Sequence, residues 1–206
     1  METATLLILS TNFLFIGLLP KIFFRQDGHY NLRWFVTAAP FFIGPVFFCG
    51  LYFQVLAPSI PFESSVYTLA LGIGTLCSLV SVALIALTIG THRVPLSLWH
   101  QSNDEPRHIV TWGAYAHIRH PFYTSFILAF VGCVLAAPHV GNLVLLCYTI
   151  LVLNHTAATE ERKLSNTDFG DEYKAYMTTT GRFFPRFNLD KHGPPQSTES
   201  QNRRIE

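Results

Sequence analysis

Residues 113–125 read Gly-Ala-Tyr-Ala-His-Ile-Arg-His-Pro-Phe-Tyr-Thr-Ser, which sets two His, one Arg and two Tyr against the start of an apolar run. After the next apolar run come Glu160, Glu161, Arg162, Lys163 and Leu164, and then Phe169-Gly170-Asp171-Glu172-Tyr173-Lys174-Ala175-Tyr176. Two polar clusters therefore bracket one hydrophobic hairpin. If both ends of that hairpin lie on the same side of a bilayer, imidazole, guanidinium, phenol and carboxylate groups meet in space, a set suited to a ligand that carries charge of both signs. That meeting place is the candidate active site.

Each cluster also has a plainer explanation. Arg119, His120, Pro121, Phe122 and Tyr123 could anchor a helix at headgroup depth, since Arg snorkels, His and Tyr favour the interface, and Pro suits a first helical turn. Residues 159–177 could be a solvated helix lying on the membrane, with Leu164, Phe169, Tyr173 and Met177 on its apolar face. The pairing of the two favours chemistry. Carboxylates adjoining a membrane span are costly unless solvated or paired, and a cationic ligand would pair one of them.

The elements that position these groups follow from composition. Half of the 206 residues are hydrophobic, 14% are aromatic and 13% are charged, about half the charge of a soluble domain. The expected fold is an all-α integral membrane protein of about five transmembrane helices, with a C-terminal helical hairpin and a cytosolic cofactor-binding segment. Residues 34–56 and 66–90 are uncharged throughout, and at ~1.5 Å per residue each can cross a ~30 Å hydrocarbon core. Residues 4–19 form a shorter run holding Ser10, Thr11 and Asn12. Glu2 before that run and Leu18-Leu19-Pro20-Lys21 after it suit a retained helix better than a signal peptide. Pro40 and Pro45 should kink the second span, and Gly74 with Ser78 offers the third a small-residue face for close packing.

Residues 122–137 and 140–153, separated by Pro138-His139, form the hairpin. If its second arm continues as helix to Leu164, Glu160 lies one to two turns outside the hydrocarbon, level with residues 119–123 on the first arm. With five spans, every Lys and Arg falls on one side: Lys21, Arg25 and Arg33 in the first loop, Arg93, Arg107 and Arg119 in the third, and the remainder from Arg162 onward. That distribution puts the C-terminus and both clusters in the cytosol. The chain divides into residues 1–110, helices and loops; residues 111–187, the core with its hairpin and cytosolic segment; and residues 188–206, whose Pro, Gln, Ser and Asn content predicts a disordered tail.

Several other classes fit the sequence less well. A net charge of +1 without a basic stripe argues against nucleic acid as a partner. Cys49, Cys77, Cys133 and Cys147 lie in apolar runs without metal-type spacing and read as small buried hydrophobes. Nine His raise a metal-dependent hydroxylase or desaturase, but only His117 and His120 are close together and Pro121 follows directly, so no metal is expected. A non-catalytic membrane scaffold or transporter is the alternative of another class, though the spans of this chain hold no charged residues to mark a pathway.

In combination, Gly113-x-Tyr115-x-x-x-Arg119-His120-Pro121-x-Tyr123, the short hairpin, Glu160-Glu161-x-x-Leu164 and Phe169-Gly170-x-Glu172-Tyr173-x-x-Tyr176 resemble the isoprenylcysteine carboxyl methyltransferase family and its phospholipid-methyltransferase relatives. The resemblance covers roughly residues 108–185. It implies a membrane enzyme that uses S-adenosylmethionine and methylates a lipid-like or prenylated acceptor, most simply a carboxylate such as that of an isoprenylcysteine. The other acceptors it allows are a phospholipid amine and a small hydrophobic metabolite. Carried over by position, Tyr115, His120, Pro121, Phe122, Tyr123 and Glu160 are cofactor contacts, as are His108, Ile109 and Val110. Glu160 would meet the cofactor's cationic groups. His120 and Arg119 would meet its carboxylate or shape the pocket, and Tyr115 and Tyr123 would supply walls and hydroxyls. Glu160, His120 and Arg119 are thus the expected catalytic residues. Ser125 stands where the family usually has Gly, and Thr156 where the eukaryotic prenylcysteine enzymes have a substrate-contacting Arg. An amine or hydroxyl acceptor would need a base, for which His117, His155 and Glu161 are candidates. Eukaryotic relatives would place the protein in the endoplasmic reticulum.

Overall fold

Long apolar runs have to satisfy their backbone groups internally, and this chain does so with helices. In a computed structural model, which describes residues 3–17, 23–24, 27–91 and 109–186, these are α1 (Thr3–Gly17), α2 (Leu32–Tyr52), α3 (Ser64–Thr91), α4 (Pro121–Ala136), α5 (Val140–Leu164) and α6 (Gly170–Thr179), with a single 3-10 turn at Gly113–Ala116 before α4. The protein is an all-α integral membrane protein. His108, the basic residues Lys21, Arg25, Arg93 and Arg107, and the tail at residues 188–206 lie outside the described residues.

Three of the five expected spans, α2, α3 and α5, are long and apolar enough to cross a membrane on their own. Helices α1 and α4 have 15 and 16 residues. Twelve of the 16 residues of α4 are buried, so α4 forms the centre of the bundle and its neighbours face outward in its place. Its closest approach is to α3, where a Cβ on Gly74 would come within 3.0 Å of the Gly132 carbonyl oxygen. Gly74 and Ser78 therefore supply the close-packing face expected of the third span.

Aromatic rings fill the rest of the core. Phe13 of α1 meets Phe130 of α4 edge-on at 5.2 Å between centroids, and Phe41 of α2 lies 4.5 Å from Phe126 of α4. Helix α2 keeps both prolines in its interior. Pro40 has no N–H to donate to the Val36 carbonyl, and the Tyr148 hydroxyl of α5 donates to that carbonyl at 2.9 Å instead. The orphan becomes a tie between two helices.

A neutral polar network crosses the bundle. Ser81 of α3 donates to the Ser125 carbonyl of α4 at 2.7 Å and lies 3.1 Å from Asn12 Oδ1 of α1, and all three residues are fully buried. This fastens α1 to the bundle. The cysteines are free, and of the four expected to be buried only Cys133 is: Cys49 and Cys77 are half-buried and Cys147 lies on the outer face of α5.

Candidate active site

The site is built where the hairpin arms end. Gly113 opens the 3-10 turn at φ 63°, a left-handed conformation that suits Gly, and a Cβ there would press on the Thr91 side chain at the end of α3. Pro121 occupies the first turn of α4 with His120 as its N-cap, so the missing proline N–H falls where a helix has no partner for it. Past α6 the chain turns back along residues 117–120. Arg119 and His120 donate backbone N–H bonds to the Gly181 and Arg182 carbonyls at 2.8 and 3.0 Å, and Gly181 donates to the His117 carbonyl at 3.3 Å. Thr124 Oγ1 then donates to the Phe183 carbonyl at 2.8 Å. Residues 180–183 form a strap laid across the polar motif.

Under that strap the two adjacent glutamates have different surroundings, because successive helical residues point about 100° apart. Glu161, with its side chain 7% exposed, takes Arg119 Nε at 2.8 Å and Arg182 Nη2 at 2.5 Å. Arg119 also donates to the Met177 carbonyl at 3.2 Å and to the Thr180 carbonyl. Arg182 reaches Asn154 Oδ1 at 2.7 Å. The Arg119–Glu161–Arg182 cluster thus fastens the strap to both hairpin arms.

Glu160 has no arginine partner among the described residues and its side chain is 23% exposed. It accepts a hydrogen bond from the Tyr123 hydroxyl at 2.7 Å, with His120 Nδ1 at 3.6 Å. The His120 ring stacks on Tyr123, its plane within 1° of parallel, and stands between the two carboxylates. Its Nε2 lies 3.3 Å from Glu161 Oε1, but off the hydrogen-bonding direction, and this buried nitrogen has no hydrogen bond among the described residues. The geometry outweighs the short distance here, since hydrogen bonds weaken steeply off axis.

Tyrosines complete the wall. Tyr176 of α6 donates to the Tyr115 carbonyl at 2.5 Å. Burial pushes its hydroxyl up to about 12, against the lowering effects of its hydrogen bond with Thr180 and the Arg119 charge. Burial likewise holds the Tyr115 and Tyr173 hydroxyls well above the usual phenol range. All three remain neutral at physiological pH.

Of the residues expected from the sequence, Arg119, His120, Tyr123 and Glu160 come together, and Tyr115 lies near enough to feel the Glu160 charge. Pro121 and Phe122 are buried in the first turn of α4, where Phe122 packs on Phe126 at 4.7 Å between centroids. Ile109 and Val110 are half-buried in the segment leading to the turn. Sequence reasoning missed Arg182 and Asn154. A faint signal was present for Arg182, a lone cation between Gly181 and Phe183-Phe184.

Helices of membrane-spanning length, meeting at one end on an ion-paired cluster with an underpaired carboxylate, define a helical membrane protein with its charged groups gathered at the rim of the bundle. The phospholipid methyltransferase family matches residues 67–172, from α3 into α6. The chain belongs to this family, which makes it a membrane methyltransferase. No curated protein and no solved structure matches it.

Proposed function

We propose that this protein is an S-adenosylmethionine-dependent methyltransferase whose cofactor lies against Glu160, His120, Tyr123 and Tyr115, and whose acceptor is a lipid-like or prenylated molecule methylated on a carboxylate, as in an isoprenylcysteine. The observation that carries this reading is the contrast between Glu161, matched by two arginines, and Glu160, left with a phenol and an imidazole. A buried or half-buried carboxylate with no arginine or lysine in contact is costly. A ligand with a sulfonium and an ammonium removes that cost, His120 Nε2, which has no aligned hydrogen bond among the described residues, offers its carboxylate a partner, and the neutral tyrosines suit an adenine.

When bound, the cofactor supplies a methyl carbon attacked in line while the C–S electron pair stays with sulfur. The protein holds charge and excludes water. Arg119 and Arg182 fix Glu161 and hence the strap, Tyr123 orients Glu160, and His120 spaces the two carboxylates. A carboxylate acceptor forms the new O–C bond with its own lone pair and moves no proton. The residues available as bases favour this acceptor: Glu161 is saturated by cations, and His117 and His155 are exposed. N-methylation of a phospholipid amine is the second reading, favoured by the family description itself. The basic residues of the first and third loops and the C-terminal segment support a cytosolic site, at the endoplasmic reticulum in a eukaryote.

The test is equilibrium binding of labelled S-adenosylmethionine to the purified protein, followed by methyl transfer to N-acetyl-S-farnesylcysteine and to phosphatidylethanolamine. Micromolar binding lost in Glu160→Gln, with transfer to the carboxylate, is the expected result. A folded wild type that does not bind the cofactor ends the reading.

A further inference from the structure

Arg33 stands outside the matched region 67–172, in the first turn of α2, yet the packing of α2 brings it to the site. The buried face of α2 includes Thr37, Phe41, Gly44 and Phe48, and Arg33 continues that stripe one turn before Thr37, half-buried itself. Along the stripe, Phe41 meets Phe126 of α4 at 4.5 Å, and further on Phe47 stacks on His139, beyond the far end of α4, at 5.1 Å. The two helices therefore run parallel. Stepping back eight residues from Phe41 climbs about 12 Å, and five residues from Phe126 climbs about 7.5 Å. Arg33 thus stands just past Pro121, level with the turn that carries Arg119 and His120. Its positive charge acts on both the Tyr123 hydroxyl and the Glu160 carboxylate.

Unlike Arg119 and Arg182, which Glu161 holds, Arg33 has no ion pair and no side-chain hydrogen bond among the described residues. Two residues earlier, Asn31 Nδ2 is buried and also without a hydrogen-bond partner there. A half-buried guanidinium that no described residue holds by an ion pair or hydrogen bond, beside an underpaired carboxylate, is a site for an anion. The α5 face preceding Glu160 adds no competing cation, since Thr156 and Ala157 are the buried residues there.

We propose that Arg33 recognises the methyl acceptor by binding an anionic oxygen group on a lipid-like amphiphile, an assignment that rests on the methyltransferase reading. The group is the carboxylate of a prenylated cysteine or the phosphodiester of a phospholipid headgroup. In the first case the anion bound by Arg33 is the nucleophile: its oxygen forms the O–CH3 bond, the C–S bond breaks with its pair going to sulfur, and no proton moves. In the second case Arg33 anchors the phosphodiester while the neighbouring amine, having released a proton to water, forms the N–CH3 bond with the freed lone pair as the C–S bond breaks with its pair going to sulfur. Either way α2 supplies acceptor recognition, while α4, α5 and the strap supply the cofactor site.

The test compares the full chain in an uncharged maltoside detergent with Arg33→Gln and Arg33→Lys, each checked by thermal unfolding. Equilibrium binding is measured for two probe pairs: N-acetyl-S-farnesylcysteine against its methyl ester, and lysophosphatidylethanolamine against a monoacylglycerol of the same chain. The expected result is at least a tenfold preference of the wild type for the anion in one pair, abolished in Arg33→Gln and partly kept in Arg33→Lys. The pair that shows it assigns the anion's source. No preference in either pair, or a preference that survives in Arg33→Gln, overturns the proposal, as does a loss of S-adenosylmethionine binding in Arg33→Gln equal to that in Glu160→Gln. Wild type that binds no S-adenosylmethionine refutes the methyltransferase reading separately, because the anion preference is read without the cofactor.

Discussion

Two polar clusters hold this bundle, one among α1, α3 and α4 and the other where the start of α4, the end of α5 and the strap meet, and they differ in what they leave over. The network of Asn12, Ser81 and Ser125 is neutral and fully buried, and its main groups bond to one another or to a backbone carbonyl. The cluster of Arg119, His120, Glu160, Glu161 and Arg182 is charged and lies at the rim of the bundle, and it leaves Glu160 and His120 Nε2 incompletely matched. Neutral hydroxyls and an amide can close a network deep among helices at small cost, since no charge has to be desolvated. Charges at the rim cost more to hold, and an unmatched one among matched neighbours is a place for a ligand. The first cluster fastens the fold; the second fastens the strap and keeps a valence for chemistry.

The largest effect separates the roles within the charged cluster. Glu161→Ala removes the shared partner of Arg119 and Arg182, whose side chains are 11% and 32% exposed. Breaking such a pair costs about 3 kcal/mol when both partners are buried, and less on the more exposed Arg182 side. We expect a clear drop in Tm in detergent together with loss of cofactor binding. Glu160→Gln is the sharper companion, since the amide keeps the volume and can still accept from Tyr123. Its Tm should stay near wild type while S-adenosylmethionine affinity falls at least tenfold, or about 1.4 kcal/mol. If the two variants lose stability equally, the distinction between a fastening and a ligand-facing glutamate is wrong.

That distinction was invisible in the sequence, although the meeting of the clusters was not. The hairpin is legible because Pro121 and Pro138-His139 punctuate two apolar runs, and the extension of α5 to Leu164 then brings Glu160 and Glu161 to residues 119–123. Which glutamate faces the arginines depends on helix phase about the axis, and adjacent positions differ by about 100°. The strap depends on a reversal after α6 stabilised by backbone hydrogen bonds to residues 117–120, and backbone pairing leaves no side-chain pattern to read. Arg182 was hidden for that reason. The five apolar helices were legible as apolar runs, although only three of them are long enough to cross a membrane on their own. The central burial of the short α4 follows from the small residues it meets on α3, a property of the pair of helices.

Moving to the neutral network, Asn12→Leu keeps the side chain's branching and number of heavy atoms, with bulkier methyls, and removes the link between α1 and Ser81, while Ser81 keeps its bond to the Ser125 carbonyl. Interhelical hydrogen bonds of this kind are worth about 1 kcal/mol. The expected outcome is a small decrease in Tm with cofactor affinity unchanged. Altered affinity at intact stability would show that the neutral network reaches the site, and the comparison between the two clusters would lose its sharpness.

The smallest effect lies where the charged cluster meets the phenols. The Tyr176 hydroxyl is pushed up to about 12 by burial, above the ordinary value near 10. A phenol that resists ionisation in the folded state leaves stability flat below pH ~10, where both states hold the proton, and lowers it progressively between about 10 and 12, where only the unfolded chain gives the proton up. Tyr176→Phe removes that linkage together with the hydrogen bond to the Tyr115 carbonyl. At neutral pH the variant should be less stable by about 1 kcal/mol, and the difference from wild type should narrow as the pH is raised through 10, read as Tm against pH. A constant difference across that range would mean that Tyr176 contributes its hydrogen bond and packing alone, and that the strap end of the charged cluster is more open to water than its burial indicates.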